Sequence, residues 1–278
     1  MNRRSALALV FAAALTVVFL TGCGRTGGGA STTQLNVTGS TTILPIAEIA
    51  AEEFQAAHPT VRVLVSGVGS SAGIEAVANG TAEIGTSSRE IKPEESSLGL
   101  VDSKIARDAI AVIVNPSNPV TSLTTSQVAE IFAGKITNWK QLGGQDLPIG
   151  LVNRDEASGT RDAFSKLVLK DLDFDPTAAV LPGTGQVRSV VAQSASAIGY
   201  ISLGFVDKTV KALVIDGVTP SEATVASGTY PLSRVLHFFT NGAPTGLAKE
   251  YIDFVLSSKI QDTVVRDAGF LPIAEGGK

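Results

Sequence analysis

One local pattern occurs four times in this sequence and restricts the folds that the chain can adopt. A short apolar strand runs into a turn rich in glycine and hydroxyl residues, and in three of the four copies a helix follows. The turns are Gly39-Ser40-Thr41-Thr42, Gly69-Ser70-Ser71, Thr86-Ser87-Ser88 and Ser158-Gly159-Thr160. Backbone N–H groups at a helix start have no partner within the helix, so such turns can bind anions. The repetition predicts an α/β chain with several convergent anion-binding turns.

Arg154 lies just upstream of the last of these turns. Its planar guanidinium can donate two parallel hydrogen bonds to a tetrahedral oxyanion. The neighbouring Asp155 and Glu156 can hold the arginine in place. Because a surface arginine beside an ordinary helix cap would give the same local sequence, this prediction depends on the recurrence of the pattern along the chain.

Charge and cysteine content exclude several classes of function. The 278-residue chain has a formal net charge of −4 and no basic tract, which argues against nucleic-acid binding. Any anion site must therefore depend on local dipoles and on one or two arginines. The single cysteine, Cys23, excludes an internal disulfide and a cysteine-based zinc site.

The N-terminal region has the features of a bacterial lipoprotein signal. Residues 1–22 combine two arginines with an apolar run that is short for a membrane span. Leu20-Thr21-Gly22-Cys23 then resembles a lipobox, which implies cleavage before Cys23 and its lipidation. Residues 23–33 are rich in glycine, serine and threonine and are predicted to be a flexible tether. We therefore expect a protein that is anchored to a membrane and folded outside the cytoplasm.

The second turn also matches two other motifs. Residues 67–72 imitate a dinucleotide-binding fingerprint, but a complete strand–helix unit precedes them, unlike the order expected of that fold. Residues 69–73 imitate a nucleophile elbow, which would make Ser71 the nucleophile and His237 the base of a serine hydrolase. His237, however, lies in a predicted strand, and the sequence contains no His-Gly-Gly oxyanion segment. The hydrolase is kept as an alternative, and the main prediction is a protein that is not an enzyme.

No metal or cofactor is predicted. The run of alternating aspartates at positions 171, 173 and 175 imitates the start of an EF-hand loop. Pro176 occupies the position of the required glycine and Pro182 that of the final glutamate, so a calcium site is rejected.

Five motifs stand in order along the chain and together carry a family resemblance. They are Gly39-Ser-Thr-Thr42, Gly69-Ser-Ser71, Ile84-Gly-Thr-Ser-Ser-Arg89, Arg154-x-Glu156-x-Ser158-Gly-Thr160 and Ala197-Ile-Gly-Tyr-Ile-Ser-Leu-Gly204. The set resembles the phosphate-binding proteins of high-affinity phosphate ABC transporters, the PstS family, in their shorter form. The resemblance covers about Leu35 to Ile273.

This resemblance implies a two-lobed periplasmic-binding-protein fold of type II, with two crossover segments and a ligand cleft between the lobes. The predicted first lobe comprises residues 34–114 and 229–278, and the predicted second lobe comprises residues 115–228. The implied function is capture of inorganic phosphate and its delivery to the permease subunits of an ABC transporter. The implied phosphate-binding residues are Thr41, Thr42, Ser70, Ser88, Arg154, Ser158, Gly159 and Thr160, with Ser40, Ser71, Ser87 and Glu156 in supporting positions. Glu156 matches the acid that orients the arginine.

Ser88 departs from the best-known members of the family, which have an aspartate at this position. That carboxylate accepts a hydrogen bond from the OH group of hydrogen phosphate and repels sulfate, which has no proton to donate. A serine can donate or accept, so the resemblance leaves sulfate, arsenate, molybdate and tungstate open as alternative ligands.

Overall fold

The computed structural model describes residues 32–273. The predicted signal peptide, the predicted lipidation site Cys23 and most of the predicted tether lie outside the described residues. Among the helices that are described, none is long and apolar enough to cross a membrane. Within the same residues, no group of three or more His, Cys, Asp or Glu side chains is arranged to hold a metal ion.

Three of the helices follow the hydroxyl turns, as the sequence pattern predicted. The α-helices are α1 Leu44–Ala57, α2 Ser70–Ala78, α3 Thr125–Phe132, α4 Gly159–Phe164, α5 Thr184–Gln193, α6 Glu222–Ala226, α7 Gly246–Leu256 and α8 Ser258–Ile260. Short 3-10 helices span Pro93–Leu98, Trp139–Leu142 and Leu203–Phe205, and π-helical turns at Ser165–Leu169 and Gln261–Val265 extend α4 and α8.

The strands form one large mixed sheet and a small two-stranded one. They are β1 Thr33–Gly39, β2 Val61–Gly67, β3 Ile84–Ser87, β4 Leu100–Val114, β5 Ser122–Leu123, β6 Gly150–Arg154, β7 Ala179–Leu181, β8 Ala197–Ser202, β9 Lys211–Ala212, β10 Val214–Ile215, β11 Ser233–Asn241 and β12 Leu271–Pro272. The main path of the large sheet is β2-β1-β3-β11-β4-β8-β6-β7, and β9 and β12 also pair with β4.

The large sheet consists of two parallel wings joined by antiparallel strands. In one wing β1 pairs in parallel with β2 and β3, and in the other β6 pairs in parallel with β7 and β8. Strands β11 and β4 run antiparallel between the wings, with Arg234 directly opposite Asp108. In open α/β sheets ligands bind beyond the carboxyl ends of the parallel strands. Each wing here therefore has one edge suited to a ligand.

Two large apolar clusters form the core. The buried members of one belong entirely to the predicted first lobe, in which α1 and α7 pack beneath β1 and β11. The other contains Phe132, Phe164 and Tyr200, whose rings stack or meet edge to face. Strand β4 contributes Ile105 and Ala106 to the first cluster and the segment from Ala109 to Val114 to the other clusters. The lobe boundaries themselves stay a prediction.

Helix α1 begins without a side-chain cap. Neither Ser40 nor Thr41 caps α1, which begins at Leu44 after Ile43, with Pro45 in its first turn. Ser40 instead accepts a hydrogen bond from the N–H of Thr42. The segment from Ser40 to Thr42 is a turn in its own right, so the hydroxyls of Thr41 and Thr42 are left available to more distant partners.

Candidate anion-binding site

Hydroxyl side chains from four separate turns meet beyond the carboxyl ends of the two parallel wings. The turn after β1 supplies Thr41 and Thr42, and the start of α2 supplies Ser70. Ser88 follows β3, and Thr160 lies in the first turn of α4. All of these except Thr41 are buried, with exposed fractions of 1% or less. The turns that the sequence pattern selected are thus brought to one place.

The hydroxyls are in contact across the two wings. Thr42 Oγ1 lies 3.1 Å from Thr160 Oγ1, although 118 residues separate them in the chain. Ser70 Oγ lies 3.4 Å from Ser88 Oγ, and Ser88 Oγ lies 3.5 Å from Thr160 Oγ1. A hydroxyl can donate as well as accept a hydrogen bond, so this cluster can donate several hydrogen bonds towards one small anion.

Gly159 permits this close approach. A Cβ atom added at Gly159 would lie 2.3 Å from Ser70 Oγ and 3.0 Å from Ser88 Oγ, which is too close for any side chain. At Gly69 the backbone has φ +102°, and an added Cβ would lie 2.7 Å from the carbonyl oxygen of Ala157. Ser71 N–H also donates to that carbonyl. The two wings are therefore in backbone contact at the site.

Arg154 ends β6 and is almost completely buried, with 2% of its surface exposed. Its Nε donates to the carbonyl of Leu181 and its NH2 to the carbonyl of Pro182, at 3.1 and 2.9 Å. The guanidinium also donates to Thr184 Oγ1 through NH1 and to Thr41 Oγ1 through NH2, both at 3.2 Å. Backbone carbonyls thus fix its position, and its remaining edge faces hydroxyls.

Arg154 carries a positive charge that no carboxylate neutralises directly. Among the described residues it forms no ion pair, whereas the buried Arg89 and Arg234 both do. Burial lowers the pKa of Arg154, and the charge of Asp155 opposes that effect from a longer distance. Burying a positive charge without a negative partner costs free energy, so this geometry favours the binding of an anion.

The backbone of Arg154 is held by a buried pair of polar side chains. Its N–H donates to Asn153 Oδ1 at 2.8 Å, and the Tyr200 hydroxyl donates to the same oxygen. Burial raises the pKa of Tyr200, so the phenol stays neutral and remains a donor. These contacts fix the end of β6, from which the guanidinium projects.

Glu156 does not orient Arg154 as the family resemblance implied. Glu156 is exposed, and the groups that accept hydrogen bonds from the guanidinium are backbone carbonyls and hydroxyls. The physical reason is that the carbonyls of Leu181 and Pro182 accept from Nε and from one terminal nitrogen, so backbone groups already fix one edge of the guanidinium. Glu156 is therefore removed from the set of supporting residues.

Four further predicted hydroxyls have partners outside the central cluster. Ser158 caps α4 by accepting from the N–H of Arg161, and Ser40 accepts from the N–H of Thr42. Ser87 closes a tight turn with the backbone of Arg89, and Ser71 accepts from the Arg89 side chain. In this structure these hydroxyls shape the turns and do not join the central cluster.

The hydrolase alternative lacks its catalytic geometry. The hydroxyl of Ser71 contacts Arg89, whereas His237 Nδ1 lies 2.8 Å from Asp102 Oδ1. His237 Nε2 is buried and has no hydrogen-bond partner among residues 32–273. The described contacts therefore do not pair Ser71 with a histidine base.

Three residues of the site are not among the binding residues that the sequence predicted. Thr184, the first residue of α5, contacts both Arg154 and Thr41, and the available signal was a hydroxyl residue between two glycines, Gly183 and Gly185. Arg234 donates to Thr160 Oγ1 at 2.9 Å and pairs with Asp108. Arg234 and Asp108 lie inside strands whose sequences are mostly apolar, so no local pattern indicated a role for them.

A partly buried ion cluster lies beside the site. Arg89 donates through both terminal nitrogens to the carboxylate of Glu95, and its Nε lies 2.8 Å from Asp162 Oδ2. Lys92 also pairs with Asp162 at 2.8 Å. Burial alone would raise the pKa of Glu95. Hydrogen bonds from the Arg89 side chain and the Lys92 N–H, together with the positive charges of both residues, outweigh burial, so the pKa of Glu95 is lowered. A cavity of about 500 Å³ adjoins this cluster and is also lined by Arg234 and His237.

The comparisons with known proteins agree with this architecture. Residues 25–259 match a family model described as PBP superfamily domain, which covers most of the chain. The molecule is therefore a periplasmic-binding-type protein with the two-lobed, type II fold.

Individual relatives identify the family within that superfamily. The chain is 37% identical over 246 residues to the phosphate-binding protein PstS of Bacillus subtilis (strain 168), covering 87% of this chain and 81% of the relative. A phosphate ABC transporter substrate-binding protein from Clostridium perfringens, solved with bound phosphate, superposes with a TM-score of 0.83 at 38% identity, covering 87% of this chain and all of that one. A phosphate transport receptor from Vibrio cholerae superposes with a TM-score of 0.73 at 35% identity, covering 86% and 100%. The chain belongs to the PstS family.

Proposed function

We propose that this chain is an extracytoplasmic receptor that binds inorganic phosphate between its two lobes and delivers it to an ABC transporter. The observation that carries the proposal is the buried, unpaired guanidinium of Arg154, which faces a cluster of hydroxyls at the starts of helices. The names of the PstS relatives support phosphate as the anion.

The proposed binding residues are those that the structure brings together. The first lobe offers Thr41, Thr42, Ser70 and Ser88, and the second lobe offers Arg154, Gly159, Thr160 and Thr184. Ser158 would contribute its backbone, since its hydroxyl already caps α4. An anion held by both sets has a higher affinity for the closed arrangement than for an open one, so its binding drives closure.

The transporter partner and the anchor belong to the same proposal. A closed receptor would dock on the permease subunits of the transporter, and a lipid on Cys23 would keep it at the membrane surface. Processing at Cys23 is checked by mass spectrometry of the protein purified from membranes. An N-terminal diacylglyceryl cysteine is expected, and an unmodified Cys23 would remove the anchor from the proposal.

The decisive experiment is calorimetric titration of the full chain, held in mild detergent and stripped of carried-over anion, with phosphate. Arg154→Ala removes a charge-assisted contact worth about 1.5–3 kcal/mol, so a loss of roughly tenfold to 150-fold in affinity is expected. Arg188→Ala is the matched control, because Arg188 is half-exposed and pairs with Asp207 away from the hydroxyl cluster. Unchanged phosphate binding by Arg154→Ala would refute the proposed site.

A second candidate, a receptor for a wider set of oxyanions, is favoured by Ser88. This side chain lies in the cluster where the best-known members of the family have a carboxylate, and a hydroxyl does not repel sulfate. The same titration with sulfate separates the candidates. Phosphate binding without sulfate binding supports the phosphate receptor, and equal binding of the two anions supports the wider one.

A further inference from the structure

Arg234 projects from β11 into the same hydroxyl cluster as Arg154. Its NH1 donates to Thr160 Oγ1 at 2.9 Å and to the carbonyl of Ser88 at 3.3 Å. Its NH2 lies 3.5 Å from Thr42 Oγ1. Three of the four turns that form the candidate site are therefore in contact with one guanidinium, which belongs to none of the five motifs.

Asp108 holds this guanidinium in a fixed plane. Asp108 is buried, with 1% exposed, and its Oδ2 accepts from Arg234 Nε at 2.9 Å and from NH2 at 2.8 Å. Its Oδ1 accepts from Ser202 Oγ at 2.7 Å. Both carboxylate oxygens are occupied, so Asp108 is directed at Arg234 and not at the hydroxyl cluster.

A purely structural role is a weak explanation for this ion pair. The free energy lost when two charges are removed from water is about as large as the free energy gained from their attraction. A protein with an apolar pair of similar size in place of a buried ion pair is often as stable. The pair lies in the middle of the sheet, between antiparallel strands, where apolar side chains would pack without that cost. A function at the adjoining site would account for its position.

The two arginines approach the cluster from different sides. Arg154 contacts Thr41 and Thr184, and Arg234 contacts Thr42 and Thr160. Burial lowers the pKa of Arg154, and the charge of Arg234 lowers it further, which indicates that the two charges interact. Two like charges that face one cluster of donors favour an anion between them.

We propose that Arg234, held by Asp108, is a second guanidinium that contacts the bound anion. The inference rests on the proposed function, because it assumes that the anion binds where Arg154 and the hydroxyls meet. Arg234 then supplies a charge-assisted contact beside Ser88. Asp108 does not contact the anion and acts on it only by holding the guanidinium in place.

The test compares four variants in phosphate titrations, with the melting temperature of each variant measured without phosphate. Arg234→Gln is expected to lose at least about tenfold in affinity. Arg234→Lys keeps a positive charge that can pair with Asp108, but it lacks the second terminal nitrogen that faces the hydroxyl cluster. We therefore expect a folded protein with weakened phosphate binding. Arg107→Gln is the matched control, because Arg107 lies next to Asp108 on β4 and its side chain donates to the carbonyl of Ala226 and not to the hydroxyl cluster.

The double variant Arg234→Gln with Asp108→Asn separates binding from folding. It removes both charges and leaves no buried carboxylate unpaired, so its melting temperature is expected to exceed that of Arg234→Gln while its phosphate affinity stays low. Wild-type affinity in the double variant or in Arg234→Lys would overturn the inference. An equal loss in Arg107→Gln would also overturn it.

Failure of the proposed function gives a different result. If the wild-type protein binds sulfate and no phosphate, the proposed function is wrong, and the same variants titrated with sulfate decide the role of Arg234. If the wild-type protein binds neither anion, both the proposed function and this inference are wrong.

Discussion

At the scale of single residues, the site depends on how closely small side chains allow the two wings to approach. Gly159 lies in the first turn of α4, and its backbone is not in the left-handed region. Its absent side chain is therefore needed for space and not for conformational freedom. The atoms that an added Cβ would meet belong to Ser70 and Ser88, on the other side of the cluster.

Gly159→Ala is therefore expected to weaken phosphate binding by at least about tenfold, because the closed contact loses its fit and the hydroxyls move apart. The melting temperature without phosphate should change little, since alanine suits a helix better than glycine does. Calorimetry measures the affinity. Gly185→Ala in the first turn of α5 is the control, because a Cβ there meets nothing within 4 Å. Equal affinities for the two variants would contradict this account of Gly159.

At the scale of elements, ion pairs tie the turn after β3 to the helix α4. Asp162 on α4 pairs with Arg89 and with Lys92, and Lys166 in the following π-helical turn pairs with Glu90. The turn belongs to the predicted first lobe and α4 to the predicted second lobe. If the lobes move apart without ligand, these pairs must break, whereas the pair of Arg89 with Glu95 lies within one segment and persists.

Asp162→Asn should therefore weaken phosphate binding without touching the anion. The pairs are partly buried, so we expect a cost of about 1 kcal/mol, or roughly fivefold in affinity, and a shallower dependence on salt than in the wild-type protein. Titrations at low and high ionic strength measure both effects. Asp146→Asn, which removes the exposed pair with Lys140, is the control. If Asp162→Asn binds as the wild-type protein does, these pairs are not coupled to closure.

At the scale of the whole molecule, the two wings and their cores are joined by strand β4 and by long-range pairings. Strand β4 carries side chains of both cores, and β11 returns beside it after more than a hundred residues. A ligand bound across the wings therefore stabilises the fold as a unit, because it binds the folded chain and not the unfolded one.

Phosphate at about 100 times its dissociation constant should add about 2.7 kcal/mol to the free energy of unfolding. For a chain of this size that corresponds to a rise of about 5–10 °C in melting temperature. Differential scanning calorimetry with and without phosphate measures the rise, and chloride at equal ionic strength is the control. In Arg154→Ala, which is expected to bind tenfold to 150-fold more weakly, the rise at the same phosphate concentration should fall to about half or less. A rise of the same size in that variant would mean that phosphate binds elsewhere.

The sequence by itself determined the local elements and the hydroxyl turns. Strands β1, β2, β3 and β6 lead into the four hydroxyl turns and helices follow three of them, as the repeated pattern predicted, because apolar runs and glycine turns act over a few neighbours. The same local signals selected Thr41, Thr42, Ser70, Ser88 and Thr160, which the fold brings together. The lobe boundaries and the binding roles of these residues remain predictions.

Only the tertiary structure decided which charges face the site. Arg234 meets Asp108 across 126 residues, and Arg154 is held by carbonyls 27 and 28 residues away, so no local pattern could have revealed either arrangement. For the same reason Glu156, which is close to Arg154 in the sequence, does not orient it, since the fold had already supplied acceptors. Hydrogen bonding and burial of a charged group depend on which strands become neighbours, and sheet order in this chain is set by long-range pairing.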